Sequence, residues 1–362
     1  MAPAPAATLL LADGTRLHGG LIGTPGTAVG ELCFNTGMTG YQEIFSDPSY
    51  RGQILVTTHS HIGNYGTVPD EVESDRVQIA GLVCRNFSRV FSRFGATRSL
   101  EDWFLEQGLT GLSGVDTRAL VNHLRERGAM NAIISSETHD PAELAQELAR
   151  RATDMQGREL SSEVSTPEAY ALGVTGPLVA VLDYGVKRNI LLSLLRRGCR
   201  LRVYPSKTTA EAILADNPQG IVLSNGPGDP AAMPHEVAQV QRLLAQGLPL
   251  FGICMGHQLL ARACGIGTYK LHFGHRGINH PVLNLATGRT EITSQNHGFG
   301  VERASLEATP EVELTHVNLN DQTVEGLRLR ECPAFSVQYH PESNPGPHDS
   351  AYLFDQFVGL LA

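Results

Sequence analysis

The sequence predicts an α/β protein in two parts: a C-terminal doubly wound, mostly parallel sheet and an N-terminal β-rich α/β domain. Three observations carry this. The 362 residues exceed one average domain of roughly 150 residues. From Leu178 onward, short apolar runs alternate with helical patterns, the grammar of parallel βαβ units. Before that point the chain reads mainly as strand and turn, with a few helices interposed. The expected boundaries are 1–152 for the first domain, 153–177 for a connection rich in Ser, Thr, Gly and Pro, and 178–362 for the second.

In the first domain, apolar alternation on both sides of Asp13-Gly14 signals a hairpin, and Gly-rich, β-branched segments continue through Val56. Ser99 caps a helix containing Trp103 and Phe104, with Asp102 in the box position. Asp116 starts a second, with Leu120, Val121 and Leu124 at helical spacing and Gly128 beyond its end. Asp140-Pro141 starts a third, carrying Leu144 and Leu148 on one face. In the second domain, strands are expected at 179–182, 201–204, 221–223 and 248–253. Helices are expected at 187–197, 210–215 and 234–245 between them. Ligands of such sheets bind at the carboxyl ends of the strands, so the residues there matter most.

Composition excludes several functions. Charged residues make up 18%, the net charge is −9, and the only lysines are Lys187, Lys207 and Lys270. Such a chain is poorly suited to binding nucleic-acid phosphates or an anionic membrane surface. It has no Gly-Lys-Ser/Thr triplet, hence no P-loop, and ATP chemistry is expected elsewhere. Met1 to Leu11 lacks the basic region of a signal peptide, and no apolar run reaches membrane-spanning length. Six scattered cysteines without a C-x-x-C pair indicate a reduced, cytoplasmic setting.

After the fourth strand comes Gly252-Ile253-Cys254-Met255-Gly256, a G-x-nucleophile-x-G turn into a helix. The helix N-terminus favours thiolate at Cys254. On its own the pattern fits a packing cysteine equally well. Phe335, Val337 and Tyr339 alternate as a late strand ending in His340-Pro341-Glu342. There an imidazole can accept a thiol proton while the carboxylate two residues on orients it. Together the elements favour a Cys254–His340–Glu342 triad. The Ser224–Pro230 turn, with Gly226 and Gly228, can supply backbone N–H groups to an oxyanion. His272, His275 and His280 lie close in sequence, but no ordered ligand set completes a zinc site, and no metal is expected. His257 is expected to be structural.

The elbow, with His257-Gln258 and His340-Pro341-Glu342, resembles the class I (triad) glutamine amidotransferases, whose fold is flavodoxin-like. Further segments narrow the resemblance to the carbamoyl-phosphate synthase small-subunit family. They are Cys33–Glu43, Asp47–Tyr50, His61–Asn64, Asp183–Asn189, Phe273–His275, Asn279–Pro281 and Pro345–Asp349. The resemblance implies Cys254 as nucleophile, His340 as base and Glu342 as its orienting partner. It implies an L-glutamine site of Ser49, Gly226, Gly228, Met255, Gln258, Asn296, Gly298 and Phe299. It further implies a ligase complex for arginine and pyrimidine biosynthesis, in which a large synthetase subunit makes carbamoyl phosphate. ATP and Mg are expected on that subunit, with no cofactor in this chain, and a higher oligomer of heterodimers is expected. Met255 replaces an expected Leu, Arg276 and Ile278 loosen a His-Gly pattern, and Tyr339 replaces a usual Gly, which would crowd the approach to His340. The alternatives are the glutaminase of another triad enzyme, a γ-glutamyl hydrolase, or a catalytically silent regulatory subunit.

Overall fold

The computed structural model describes residues 5–361. The chain divides into two compact units: 1–155 with His272–Arg276, and 156–271 with 277–362.

The first unit is built on β1 (Ala6–Leu11), β2 (Arg16–Gly23), β3 (Thr27–Asn35), β4 (Gln53–Thr57), the short β5 (His61–Ile62), β6 (Gly81–Cys84), the short β7 (Asn86–Phe87), β8 (Thr110–Ser113) and β9 (Met130–Ser135). Seven of these close a barrel in the order β1-β2-β8-β6-β4-β3-β9, parallel across β3–β4–β6–β8 and antiparallel elsewhere. Closure leaves no free edge among these strands. The helices are α1 (Tyr41–Ser46), α2 (Leu100–Gln107), α3 (Thr117–Arg127) and α4 (Pro141–Arg151). The last three start where their caps stand. Ser99 Oγ accepts the Asp102 N–H at 3.1 Å, Asp116 accepts that of Ala119 at 3.0 Å, and Asp140 accepts that of Ala142 at 2.7 Å. The strands bury both faces: Ile54 and Val56 of β4 join one apolar cluster, and Leu55 between them joins another.

The second unit begins with β10 (Tyr170–Leu172), β11 (Leu178–Asp183), α5 (Arg188–Leu195), β12 (Arg200–Pro205), α6 (Ala210–Ala215), β13 (Gly220–Leu223), α7 (Pro234–Leu244), β14 (Leu250–Ile253) and α8 (Met255–Ala263). It continues with β15 (Thr268–Asn284), β16 (Arg289–Val301), α9 (Arg303–Glu307), β17 (Val312–Asn318), β18 (Val324–Leu329), β19 (Ala334–Val337) and α10 (Tyr352–Gly359). The ten strands form one sheet in the order β10-β12-β11-β13-β14-β19-β18-β17-β15-β16. Strands β12, β11, β13, β14 and β19 run parallel. Alternate residues of β11 feed opposite faces: Ala180 and Leu182 meet α6, α7 and α8, while Val179 and Val181 meet α5 and α10. That double covering explains why these strands read as unbroken apolar runs.

Two departures from the sequence expectation matter for the site. Residues 156–177 of the expected connection pack within the second unit rather than running bare: β10 pairs antiparallel with β12, and Glu159 bridges Gly228. The late strand, β19, ends at Val337, three residues before His340. His272 and His275 fall in the first unit and His280 in the second.

Candidate active site

Four parallel strand ends of the second unit supply the site. At the end of β14 the chain turns through Cys254 at φ 54°, ψ −101°, a conformation that L-residues rarely adopt, and α8 begins at the next residue. Such a residue costs on the order of 1–3 kcal/mol and persists only where its surroundings hold it. Here the Cys254 N–H donates to the Val337 carbonyl at 2.9 Å, tying the elbow to β19. Gly256 is required by crowding: a Cβ there would lie 2.2 Å from the Leu223 carbonyl oxygen. The thiol of Cys254 is buried and faces the Asn296 carbonyl at 3.6 Å.

His340 and Glu342 follow β19 and are both buried. His340 Nδ1 and Glu342 Oε1 are 2.7 Å apart. The imidazole is therefore oriented with Nδ1–H toward the carboxylate, leaving Nε2 as its second, buried nitrogen. Burial opposes charge on His340, but the Glu342 carboxylate overrides it and raises the His340 pKa to about 10, with a further upward contribution from the Cys254 side chain. Burial likewise opposes charge on Glu342, and the Lys187 ammonium and His340 override it, lowering the carboxyl to about 2.

Lys187 is the member that sequence reasoning missed. It is buried at the N-terminus of α5, and its Nζ lies 2.9 Å from Glu342 Oε1. The same ammonium donates to the Ser343 carbonyl at 2.7 Å, while its backbone N–H donates to Asn225 Oδ1 at 3.0 Å. A buried ammonium is expensive unless paired. Finding one of only three lysines in this position marks it as part of the site. The available signal was its place just after β11, at a strand end of a parallel sheet.

Of the remaining expected residues, seven gather in the second unit. Gly226 and Gly228 form the turn after β13. Gly228, at φ 96°, packs where a Cβ would come 2.6 Å from the Arg158 carbonyl oxygen, so the 153–177 segment helps shape this turn. Met255 is the first residue of α8. Gln258, on the same helix, is buried and donates through Nε2 to the Phe299 carbonyl at 2.9 Å and to Gln338 Oε1 at 3.1 Å. Asn296, Gly298 and Phe299 lie on β16. Ser49 belongs to the first unit, in a 3-10 turn (Pro48–Tyr50) where its N–H donates to Asp47 Oδ1 at 2.9 Å.

Two expectations acquire a physical reading. Tyr339 does not turn toward His340's base nitrogen: it is fully buried, its hydroxyl reaches Glu291 Oε2 at 3.4 Å, and its ring meets His316 edge-on at 5.8 Å. His257 is buried against Ser336 Oγ at 2.8 Å, and burial lowers its pKa to about 3. A neutral, hydrogen-bonded imidazole in the core has the structural role expected for it.

Comparison with known proteins agrees with this arrangement. Residues 180–360 match the family model for class-I glutamine amidotransferase, and residues 9–134 match that for the carbamoyl-phosphate synthase small chain, CPSase domain. The carbamoyl phosphate synthase small chain of a Synechococcus strain is 50% identical over 375 aligned positions, covering 100% of this chain and 95% of that relative. The chain belongs to the carbamoyl phosphate synthase small-chain family. The small chain of Chlorobaculum tepidum is 50% identical over 98% of this chain and 97% of its own length, and that of Streptomyces coelicolor is 47% identical over 98% and 96%. As a small chain with an amidotransferase domain, the protein is a glutamine-hydrolysing amidotransferase subunit, and its family implies a large-subunit partner. The described residues include no helix long and apolar enough to cross a membrane.

Proposed function

We propose that Cys254, His340 and Glu342 hydrolyse L-glutamine to glutamate and ammonia, and that the ammonia passes to the large subunit for carbamoyl phosphate synthesis. The observation that carries this reading is the strained Cys254 elbow beside a buried His340–Glu342 pair. The high proton affinity of His340 draws the thiol proton, leaving a thiolate to attack the side-chain amide carbon of glutamine. A C–S bond forms, and the carbonyl electron pair moves to oxygen. In this reading the Met255 N–H and the glycine turn at Gly226 and Gly228 supply the donors to that oxyanion; one such donor is worth about 10²–10³ in rate. The oxyanion collapses, the C–N bond breaks, and the His340 imidazolium gives its proton to the departing nitrogen, which leaves as ammonia. Water, deprotonated by His340, then attacks the γ-glutamyl thioester and releases glutamate and the Cys254 thiolate.

Gln258, Asn296, Gly298 and Phe299 line the glutamine pocket in this reading. The carbamoyl phosphate step needs bicarbonate and ATP. The scarcity of lysine and the lack of a P-loop motif in the sequence support placing ATP and Mg on the large subunit. The complex serves arginine and pyrimidine biosynthesis in the cytoplasm as an oligomer of heterodimers. The test is Cys254→Ser in the complex with the large subunit. Glutamine-dependent carbamoyl phosphate synthesis is lost and ammonia-dependent synthesis persists. Glutamine use at the wild-type rate would overturn the nucleophile assignment.

A further inference from the structure

A row of buried polar side chains stands behind the glutamine-site strand, and the steps above use none of its inner members. Glu325, on β18, is fully buried. Its Oε2 accepts the Gln295 Nε2 amide at 2.9 Å and its Oε1 accepts the Asn318 Nδ2 amide at 2.9 Å. Both oxygens of this side chain accept from amide N–H groups, so it fixes which end of the Gln295 amide points toward it. The other end, Gln295 Oε1, faces His297 Nε2 at 3.0 Å. The opposite ring nitrogen, Nδ1, meets the Phe299 carbonyl at 2.7 Å. A ring nitrogen of His297 also lies within 4.8 Å of a Glu325 carboxylate oxygen. The Phe299 carbonyl is the same one that accepts Gln258 Nε2. Gln295, His297 and Phe299 are two residues apart on β16, so the row runs along one face of the strand.

We infer that Glu325 is a positioning residue for the glutamine pocket, acting through Gln295 and His297 to fix the Phe299 carbonyl and, with it, Gln258. This rests on the reading that Phe299 and Gln258 line that pocket. The first link has a direction: Glu325 imposes the orientation of Gln295, which presents an oxygen to His297. The His297 ring lies between that oxygen and the Phe299 carbonyl, donating to one of them as a neutral imidazole and to both when protonated. Replacing the carboxylate by an amide preserves shape and removes the direction, because Gln offers both a donor and an acceptor to Gln295. The triad is held by separate bonds, from Val337 to Cys254 and from Glu342 to His340. Loss of direction in the row therefore weakens glutamine binding more than it slows the bound substrate.

The experiment measures glutaminase kcat and KM, and ammonia-dependent carbamoyl phosphate synthesis, on the complex with the large subunit. Glu325→Gln raises the KM for glutamine about tenfold or more, leaves kcat within about twofold, and leaves ammonia-dependent synthesis unchanged. The exchange pair Glu325→Gln with Gln295→Glu returns a carboxylate to the row, facing both the new amide and His297, and brings the KM back most of the way. An unchanged KM in Glu325→Gln overturns the inference. So does a joint fall of kcat and ammonia-dependent synthesis, which would make Glu325 a residue of the fold alone. Wild-type protein that does not hydrolyse glutamine would overturn the glutaminase reading itself, and this inference with it.

Discussion

Substituting Lys187 by Met tests whether the triad is in truth a tetrad. The change keeps most of the aliphatic stem and removes an ammonium 2.9 Å from Glu342 Oε1, where both side chains are almost wholly enclosed. At an effective dielectric of about 20, two unit charges at that distance attract by about 6 kcal/mol before desolvation is counted. Desolvation takes back part of this, and breaking one side of a buried pair costs about 3–5 kcal/mol because the remaining charge is stranded. For a unit of this size each kcal/mol moves the melting temperature by roughly 2–4 °C, so Lys187→Met melts at least about 6 °C lower.

The pH dependence gives the sharper reading. Glu342 is depressed from 4.5 to about 2, so the stability it contributes is complete above pH 4.5 and is lost as pH falls toward 2. Without Lys187 the carboxyl moves back up, and both that loss and the acid limb of glutaminase kcat/KM shift to higher pH. A fall in kcat/KM of about 10–100-fold accompanies it, because a Glu342 without its ammonium partner is held less firmly and orients His340 less well. Calorimetry across pH 3–8 and a pH–rate profile measure both effects. A Lys187→Met protein with the parent melting temperature and an unmoved acid limb would refute the argument.

Other changes test separate parts of the structure. Gly256→Ala forces a Cβ to within 2.2 Å of the Leu223 carbonyl oxygen, and the backbone must shift. Glutaminase activity falls by at least about 10²-fold, since a misplacement of about 1 Å at a nucleophile has that effect. His257 and His316 are buried with pKa values lowered to about 3 and about 4. The unfolded chain takes up their protons first, so stability is complete above about pH 6.5 and falls as pH drops toward 4. His257→Asn flattens that slope in pH-dependent melts while leaving the Cys254 chemistry in place. Ser99→Ala removes the N-cap of α2 and lowers stability by about 1 kcal/mol, read as a shift in denaturation midpoint without change in glutaminase rate.

How much of this was legible in the sequence depends on how far apart the cooperating residues lie. The caps at Ser99, Asp116 and Asp140 act within three residues, and the helices start where they stand. The elbow at Cys254 is written in glycines two positions to either side, and His340 and Glu342 are two residues apart. By contrast, α1 has six residues, opens on Gly40 in a left-handed conformation and lacks a side-chain cap, so little marked it. Barrel closure in the first unit requires β6 to sit between β4 and β8, which no local pattern specifies. Lys187 meets its carboxylate 155 positions away, and only the fold supplies that partner.

The stretch from Thr293 to Gly298 shows a different kind of illegibility. Its run of Thr, Ser, Gln, Asn, His and Gly has the composition of a solvated loop. In the structure it is β16, buried over Thr293–His297. Polar side chains enter a core only with partners, and these have them: Gln295 meets Glu325, His297 meets Gln295, and the His297 ring meets the Phe299 carbonyl. A core strand chosen for stability alone would use Val and Ile at those places, as β11 and β13 do. Keeping five buried polar residues in a row forgoes apolar burial worth on the order of 1.5–3 kcal/mol per side chain. The carbonyl at Asn296, directed at the Cys254 thiol, is where that sacrifice meets the chemistry. Composition alone misreads such a strand because the property that makes it look exposed is the one that makes it part of the site.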